Sequence, residues 1–166
     1  MNAVPPDVYK TLTIGTSYPF SEGLHTDIPL ARPGVYTIWH NSDFIYVGIA
    51  GRGLDLTIEH KRSRGLRDRL DSHWRGRRSG DQFAVYVCDR LVLPQLTTQQ
   101  ITEIGAGELS LDALTRVYIH QNLSYRFAVV PGFAEALAIE VSFARGETPI
   151  GKPFLNPNRS SKRRES

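Results

Sequence analysis

Two short runs, Gly34 to His40 and Phe44 to Ile49, are dominated by β-branched and aromatic residues and flank the polar Asn41-Ser42-Asp43. Composition of that kind around turn-forming residues predicts two strands joined as a hairpin. From Leu66 to Trp74 the period changes. Leu66, Leu70 and Trp74 recur every fourth residue, which predicts a helix closed by Gly76 and Ser79-Gly80. In Phe83 to Val87 the residues Phe83, Val85 and Val87 alternate with Ala84 and Tyr86, the pattern of a third strand. Helices follow over Thr97 to Ile104 and Leu111 to Ile119, the second with Ser110 as N-cap. Tyr125 to Val130 reads as a further strand. Phe133 to Ala144 reads as a helix with Phe133, Leu137, Val141 and Ala144 on its apolar side and Gly146 as its stop. Pro149, Gly151, Pro153 and Pro157 mark an extended closing segment through Asn156. Residues Met1 to Arg32, with Pro5-Pro6 and Pro29, carry little periodicity and read as an irregular arm. Leu54 to Gly65 reads as a polar, basic loop, and no internal repeat is visible. These elements predict one α/β (α+β) domain over 33–158. A small central antiparallel sheet of three or more strands is flanked by helices, a helical insertion spans about 89–121, and a basic disordered tail covers 159–166.

Composition bounds this picture without changing it. The 166 residues suffice for one ordinary core, and 40% hydrophobic with 22% charged residues is normal for a globular domain. No apolar run approaches the ~20 residues needed to span a membrane, and Met1 to Lys10 has no secretory pattern. Cys88, the single cysteine, lies in an apolar run and is expected to be a buried thiol in a reducing, cytoplasmic setting. No Cys/His cluster has zinc spacing.

Charge does change it. The net charge is +3, but His60 to Arg78 alone carries eight basic residues against Asp68 and Asp71, a net +6. The tail from Arg159 adds +3, which leaves −6 for the remainder. A basic block on an acidic body points to a polyanion, most often nucleic acid, because clustered cations release counterions from phosphate. Arginine outnumbers lysine seven to one in the block, which favours bidentate phosphate recognition over a solvated, salt-bridged face. Lys61, Arg62, Arg64, Arg67, Arg75, Arg77 and Arg78 are the candidate nucleic-acid contacts.

Several residues could carry chemistry. Arg69 and His73 lie four apart on one helix face, a fixed guanidinium beside a group that moves protons near neutral pH. Glu140 falls on the apolar side of its helix, where a buried carboxylate needs a cation: a Mg²⁺ ion or a basic side chain such as Arg69. Asn156 follows two apolar residues and precedes a proline, so its amide can hydrogen-bond backbone and pin the closing segment, or simply form a turn. Tyr36 and Tyr46, ten residues apart, sit in Gly34-Val35-Tyr36 and Tyr46-Val47-Gly48 on neighbouring strands and can point into one site.

In chain order these features resemble the GIY-YIG nuclease superfamily, over roughly Pro33 to Asn158. Gly34-Val35-Tyr36 and Tyr46-Val47-Gly48 match the two family tripeptides. Arg69 matches the helix arginine, His73 the histidine one turn on in restriction-type members, Glu140 the metal-binding glutamate and Asn156 the later asparagine. One departure stands out. Many repair-type members carry a lysine three residues after the second motif tyrosine, and this chain has Ile49, so His60, Lys61, Arg62 or His73 must substitute. The segment from Gly48 to Arg69 is also longer than in compact members.

The resemblance implies Mg²⁺-dependent (or Mn²⁺-dependent) hydrolysis of a DNA phosphodiester. Glu140 would hold the metal, Arg69 a nonbridging phosphate oxygen, and a tyrosine would take the proton of the attacking water. Tyr36 is favoured over Tyr46 for that last role, with His73 as its partner. Gly34, Gly48 and Asn156 would support the site. One site cuts one strand, so a double-strand break would need a homodimer or two successive events. The rival expectation is a nucleic-acid-binding module with a lapsed active site.

Overall fold

A computed structural model describes residues 4–54 and 65–157. The hairpin forms as its composition predicts, with β2 (Gly34–His40) and β3 (Asp43–Ala50) antiparallel and His40 opposite Asp43. Asn41 takes a positive φ of 55° at the turn, a conformation asparagine tolerates. β3 carries one extra residue near Ile45, because Ile38 pairs with Tyr46 and Trp39 with Phe44. On the other side of β2 lies β4 (Leu123–Val129), with Tyr36 opposite Phe127. The two-residue β1 (Tyr18–Pro19) completes the sheet against β4. The order is β1-β4-β2-β3, all antiparallel, so β3 is an edge strand.

Period-two alternation sends side chains of β2 to opposite faces, and each face has its own core. Tyr36, Ile38, Tyr46 and Tyr125 pack on one face with Leu66 and Leu70 of α2 (Leu66–Arg75), Phe83 and Val87 of α3 (Gln82–Val87), and Ile119 of α5 (Leu111–Asn122). Val35, Trp39, Val47 and Ala128 pack on the other with Leu12 of α1 (Pro6–Ile14) and Ala136, Ile139 and Phe143 of α6 (Phe133–Arg145). Each fully buried Val, Leu, Ile or Phe among them contributes about 1.5–3 kcal/mol of transfer free energy, which is why helices cover both faces. α4 (Thr98–Gly105) is closed by a capping box between Thr97 and Gln100, and Ser110 caps α5 by accepting from the Ala113 N–H. The α/β architecture, with its antiparallel sheet between helices, is the expected one.

Three expectations fail. The run Phe83 to Val87 is helical, not a strand. Asp81 caps it by accepting from the Phe83 N–H at 3.1 Å, and Phe83, Ala84 and Val87 are the buried positions. So short an apolar run satisfies either period, so the cap and the tertiary contacts decide. A π-helical turn (Cys88–Val92) and a 3₁₀ turn (Leu93–Gln95) follow, with Cys88 buried as expected. Within the predicted irregular arm, Pro6 opens α1 at a position where its missing N–H does no harm, and β1 joins the sheet. Leu12 is fully buried there, and its carbonyl accepts from Thr37 Oγ1 at 2.7 Å. Finally, α6 is turned relative to the predicted stripe. Leu137 is exposed, while Ala136, Ile139, Glu140 and Phe143 face inward. The loop expected within 55–64 and the tail expected over 159–166 lie outside the described residues.

The closing segment runs beside β3. Phe154 and Leu155 donate their N–H groups to the carbonyls of Phe44 and Ile45. The Asn156 amide then takes over from backbone, its Oδ1 accepting from the Val47 N–H and its Nδ2 donating to the Val47 carbonyl, both at 2.9 Å. The edge is therefore covered up to Val47, and the end of β3 beyond it borders open space.

Candidate active site

An open cleft of about 500 Å³ lies at that uncovered end of β3. Ile49, Ala50, Gly51 and Arg52 line it from the strand and its exit, Asp68, Arg69 and Ser72 from α2, and Phe133 from the start of α6. An edge strand is the one place where helices on opposite faces of a sheet can both reach a common space. A second cleft of similar size, lined mainly by residues near and within α5, contains none of the predicted site residues.

Behind Arg69 the two motif tyrosines meet. Register places Gly48 opposite Tyr36 and Tyr46 opposite Ile38, so both rings rise from the α2 face of the sheet with centroids 6.4 Å apart. Gly48 is glycine for a steric reason, because a Cβ there would run into the hydroxyl and ring of Tyr36. Gly34 works differently. A Cβ there would meet the Leu66 side chain and the Ala128 carbonyl, so its bareness lets α2 start close against the sheet.

His73 points at Tyr36. Its Nε2 lies 2.7 Å from the Tyr36 hydroxyl, and its Nδ1 lies 2.8 Å from Asp81 Oδ2. Tyr36 and His73 are fully buried and Asp81 is 2% exposed. Tyr46 stands edge-on to the His73 ring at 6.0 Å and packs on Phe83 at 4.9 Å. Sequence spacing alone leaves Tyr36 and Tyr46 as competing partners for the histidine, and the hydrogen bond falls to Tyr36. Asp81 is the site residue that sequence reasoning misses. The signal that could find it is an aspartate directly before an apolar run, which is an N-cap pattern that the strand reading of Phe83 to Val87 conceals.

Electrostatics follow from burial. Desolvation raises the Tyr36 hydroxyl well above the ordinary tyrosine value, helped by Tyr46, while the positive charge of Arg69 works against it. Tyr46 is pushed up to about 12, again chiefly by burial, with Arg69 opposing and Asp81 and Glu140 reinforcing. Glu140, 8% exposed on α6, thus acts on Tyr46 from the other layer. Burial lowers the His73 imidazole against the opposing pull of Asp81.

That last shift has a measurable sign. In the unfolded chain His73 titrates near the usual about 6.5. Below that pH the unfolded state gains a proton that the folded state resists, so the stability held by the neutral ring is complete above about pH 6.5 and is lost as pH falls through the folded value. Urea unfolding at pH 7.5 and pH 5.5 should show a larger stability loss in the wild type than in His73→Gln. The excess is at most about 1.4 kcal/mol per pH unit for one proton. Equal losses in the two proteins would contradict a neutral, buried ring.

The basic block is only partly gathered. Arg67 donates to the His25 carbonyl at 3.1 Å, Arg75 pairs with Asp71 at 2.6 Å, and Arg78 pairs with Asp112 at 2.8 Å. Arg77 is exposed. For Arg75 and Arg78 the salt-bridged face is therefore the better description. Lys61, Arg62, Arg64 and His60 lie outside the described residues. Ile49 lines the cleft, and a cation stands close by in Arg52, whose guanidinium sits 5.5 Å over the Phe133 ring. In the sequence Arg52 stands out only as part of the break after β3.

Among the described residues no group of three or more His, Cys, Asp or Glu is placed to hold a metal. No helix among them is long and apolar enough to cross a membrane. No protein-family model matches this chain, and comparison with curated proteins and with solved structures gives no significant match.

Proposed function

We propose that the chain is a divalent-metal-dependent DNA endonuclease whose site lies at the open end of β3. The observation that carries the reading is the hydrogen bond from Tyr36 to His73 directly behind Arg69. It joins the first tripeptide to the Arg/His helix and leaves the arginine facing a cleft wide enough for a phosphodiester. Glu140 supports it from α6 as a buried carboxylate. One carboxylate, with the remaining positions filled by phosphate and water oxygens, suits Mg²⁺ or Mn²⁺, which bind hard oxygens and keep several waters. When bound, such an ion would offset the charge that develops on the phosphate and the leaving 3′ oxygen.

The chain's own residues divide the remaining work. Arg69 would bind a nonbridging oxygen bidentately, and Arg52 a neighbouring phosphate. Tyr36 cannot ionise at neutral pH in so dry a position, so it would act by relay. As it takes a proton from water, its own proton passes to His73 Nε2. The resulting hydroxide would attack phosphorus, the 3′ oxygen would leave with the electron pair of the broken P–O bond and take a proton from solvent, and His73 would return its proton to solvent. Tyr46 would position the water. Because Tyr36 is fully buried, the relay would require a local movement that admits water to its hydroxyl.

Full burial of Tyr36 is also what a binding module without chemistry would display. Incubation with supercoiled plasmid, with and without Mg²⁺, separates the two. The nuclease converts it to open circles only with the metal, whereas salt-sensitive binding without any nicking, log affinity falling with log salt, would leave only the module.

A further inference from the structure

We infer that Asp81 is a positioning residue of the proposed site, fixing His73 with its proton on Nδ1 so that Nε2 is free to receive the proton of Tyr36. The inference rests on the nuclease reading for its consequence but not for its geometry, which is a buried chain of two hydrogen bonds, Asp81 to His73 to Tyr36.

The direction of that chain follows from its Asp81 end. The Phe83 N–H, which can only donate, occupies Asp81 Oδ1 at 3.1 Å. The second carboxylate oxygen, Oδ2, faces Nδ1 at 2.8 Å and accepts from it. A neutral imidazole has one N–H, and the carboxylate places it on Nδ1, which leaves Nε2 to accept from the Tyr36 hydroxyl 2.7 Å away. Phe83 packs against the ring at 4.6 Å, tilted by 51°, and Tyr46 meets it edge-on at 6.0 Å, so the buried ring is held against turning over to exchange its nitrogens. Arg69, Tyr36, Tyr46 and Asp81 are the ionisable groups around it.

During turnover the proton balance is simple. One proton enters Tyr36 from water, one leaves Tyr36 for Nε2, and His73 becomes an imidazolium held beside a carboxylate that keeps its own state. This is the role an aspartate plays behind the histidine of a serine-protease triad, where Asp→Asn leaves the geometry intact and lowers kcat about 10⁴-fold. The same exchange is well defined in this chain. In Asp81→Asn the amide oxygen must stay on the Phe83 N–H, since the NH₂ group would face another donor. The NH₂ group then donates to Nδ1 and forces the His73 proton onto Nε2. That nitrogen would then present a donor to Tyr36, and the relay would be closed while the helix cap survives.

The test reads the imidazole nitrogens directly. In ¹⁵N-labelled wild type at pH 7.5, with the His73 signals assigned by their loss in His73→Gln, Nδ1 should be protonated and Nε2 bare. In Asp81→Asn the two should exchange. Plasmid nicking by Asp81→Asn should fall about 10²–10⁴-fold with DNA affinity unchanged. Adding Asp81→Asn to His73→Gln should lower the rate no further, because residues acting as one unit are not additive. A wild-type His73 protonated on Nε2 overturns the inference, as does an Asp81→Asn variant that cuts within a few-fold of wild type. A wild-type protein that cuts nothing would remove the nuclease reading alone, since the nitrogen spectrum reports the relay without substrate. Should Asp81→Asn fail to fold, the wild-type tautomer still decides.

Discussion

Glu140→Ala is expected to abolish Mg²⁺-dependent nicking, by about 10³-fold or more, while DNA binding and the folded state persist. A cation at a transferring phosphate stabilises the transition state by several kcal/mol, and each 1.4 kcal/mol or so is tenfold in rate. The other buried carboxylate among the described residues, Asp81, is engaged by His73 and the Phe83 N–H. Glu140 shares the inward face of α6 with Ala136, Ile139 and Phe143, so the unfolding midpoint of the variant is recorded beside its rate. Plasmid nicking with the metal present, paired with binding measured in its absence, separates chemistry from affinity. Cleavage at the wild-type rate would remove Glu140 from the site and, with it, the argument that two layers of the fold converge on the end of β3.

Gly48→Ala is expected to destabilise the fold by about 2–4 kcal/mol, through overpacking and the loss of a buried hydrogen bond. Its new Cβ would overlap the Tyr36 hydroxyl and ring, and Tyr36 has nowhere to go. It is fully buried, it stands against Tyr46, and its hydroxyl is held 2.7 Å from His73. The backbone at Gly48 is ordinary strand without positive φ, so steric overlap is the whole cause. A double-mutant cycle isolates it. In a Tyr36→Phe background the nearest atom is gone, so Gly48→Ala should cost about 0.5–3 kcal/mol less there than in the wild type. Denaturant unfolding of the four proteins reads the coupling, and strict additivity would mean that the spacing of the two tripeptides does not reflect this contact. The outcome bears on the fold and does not depend on whether the protein cuts DNA.

Both residues are legible in the amino-acid sequence. Gly48 belongs to a tripeptide ten residues after its partner, and a hairpin makes that spacing a contact. Glu140 stands out as a carboxylate on an apolar helix side, although periodicity draws that side in the wrong place. Leu137, within the predicted stripe, is exposed, whereas Ile139 is buried. A helix in contact with the sheet and the N-terminal segment can turn to suit its neighbours, and sequence shows only that an apolar face exists. The arm before Pro33 is illegible for a related reason. α1 has a proline at its start and no strong stripe, and what holds it is a tertiary contact, Leu12 beneath the sheet and its carbonyl on Thr37.

Local signals therefore account for the hairpin, for α2, α4 and α5 with their spacing and caps, and for Tyr36, Tyr46, Arg69, His73 and Glu140 as candidates. Each depends on residues within a turn or two of one another, where period, cap and turn chemistry act. Long-range packing accounts for the rest. Tyr36 rather than Tyr46 meets the histidine because of which ring β2 sends under α2. Asp81 stands behind His73 because a short apolar run folds as a helix rather than a strand. Arg52 comes to the cleft because β3 ends at the sheet edge, between α2 and α6. Asp81 is only 8 residues from His73 and depends on how the segment between them folds, but the Tyr36–His73 and Val47–Asn156 bonds join positions 37 and 109 residues apart. At those separations no periodicity survives, and only the closed fold brings the groups within bonding distance.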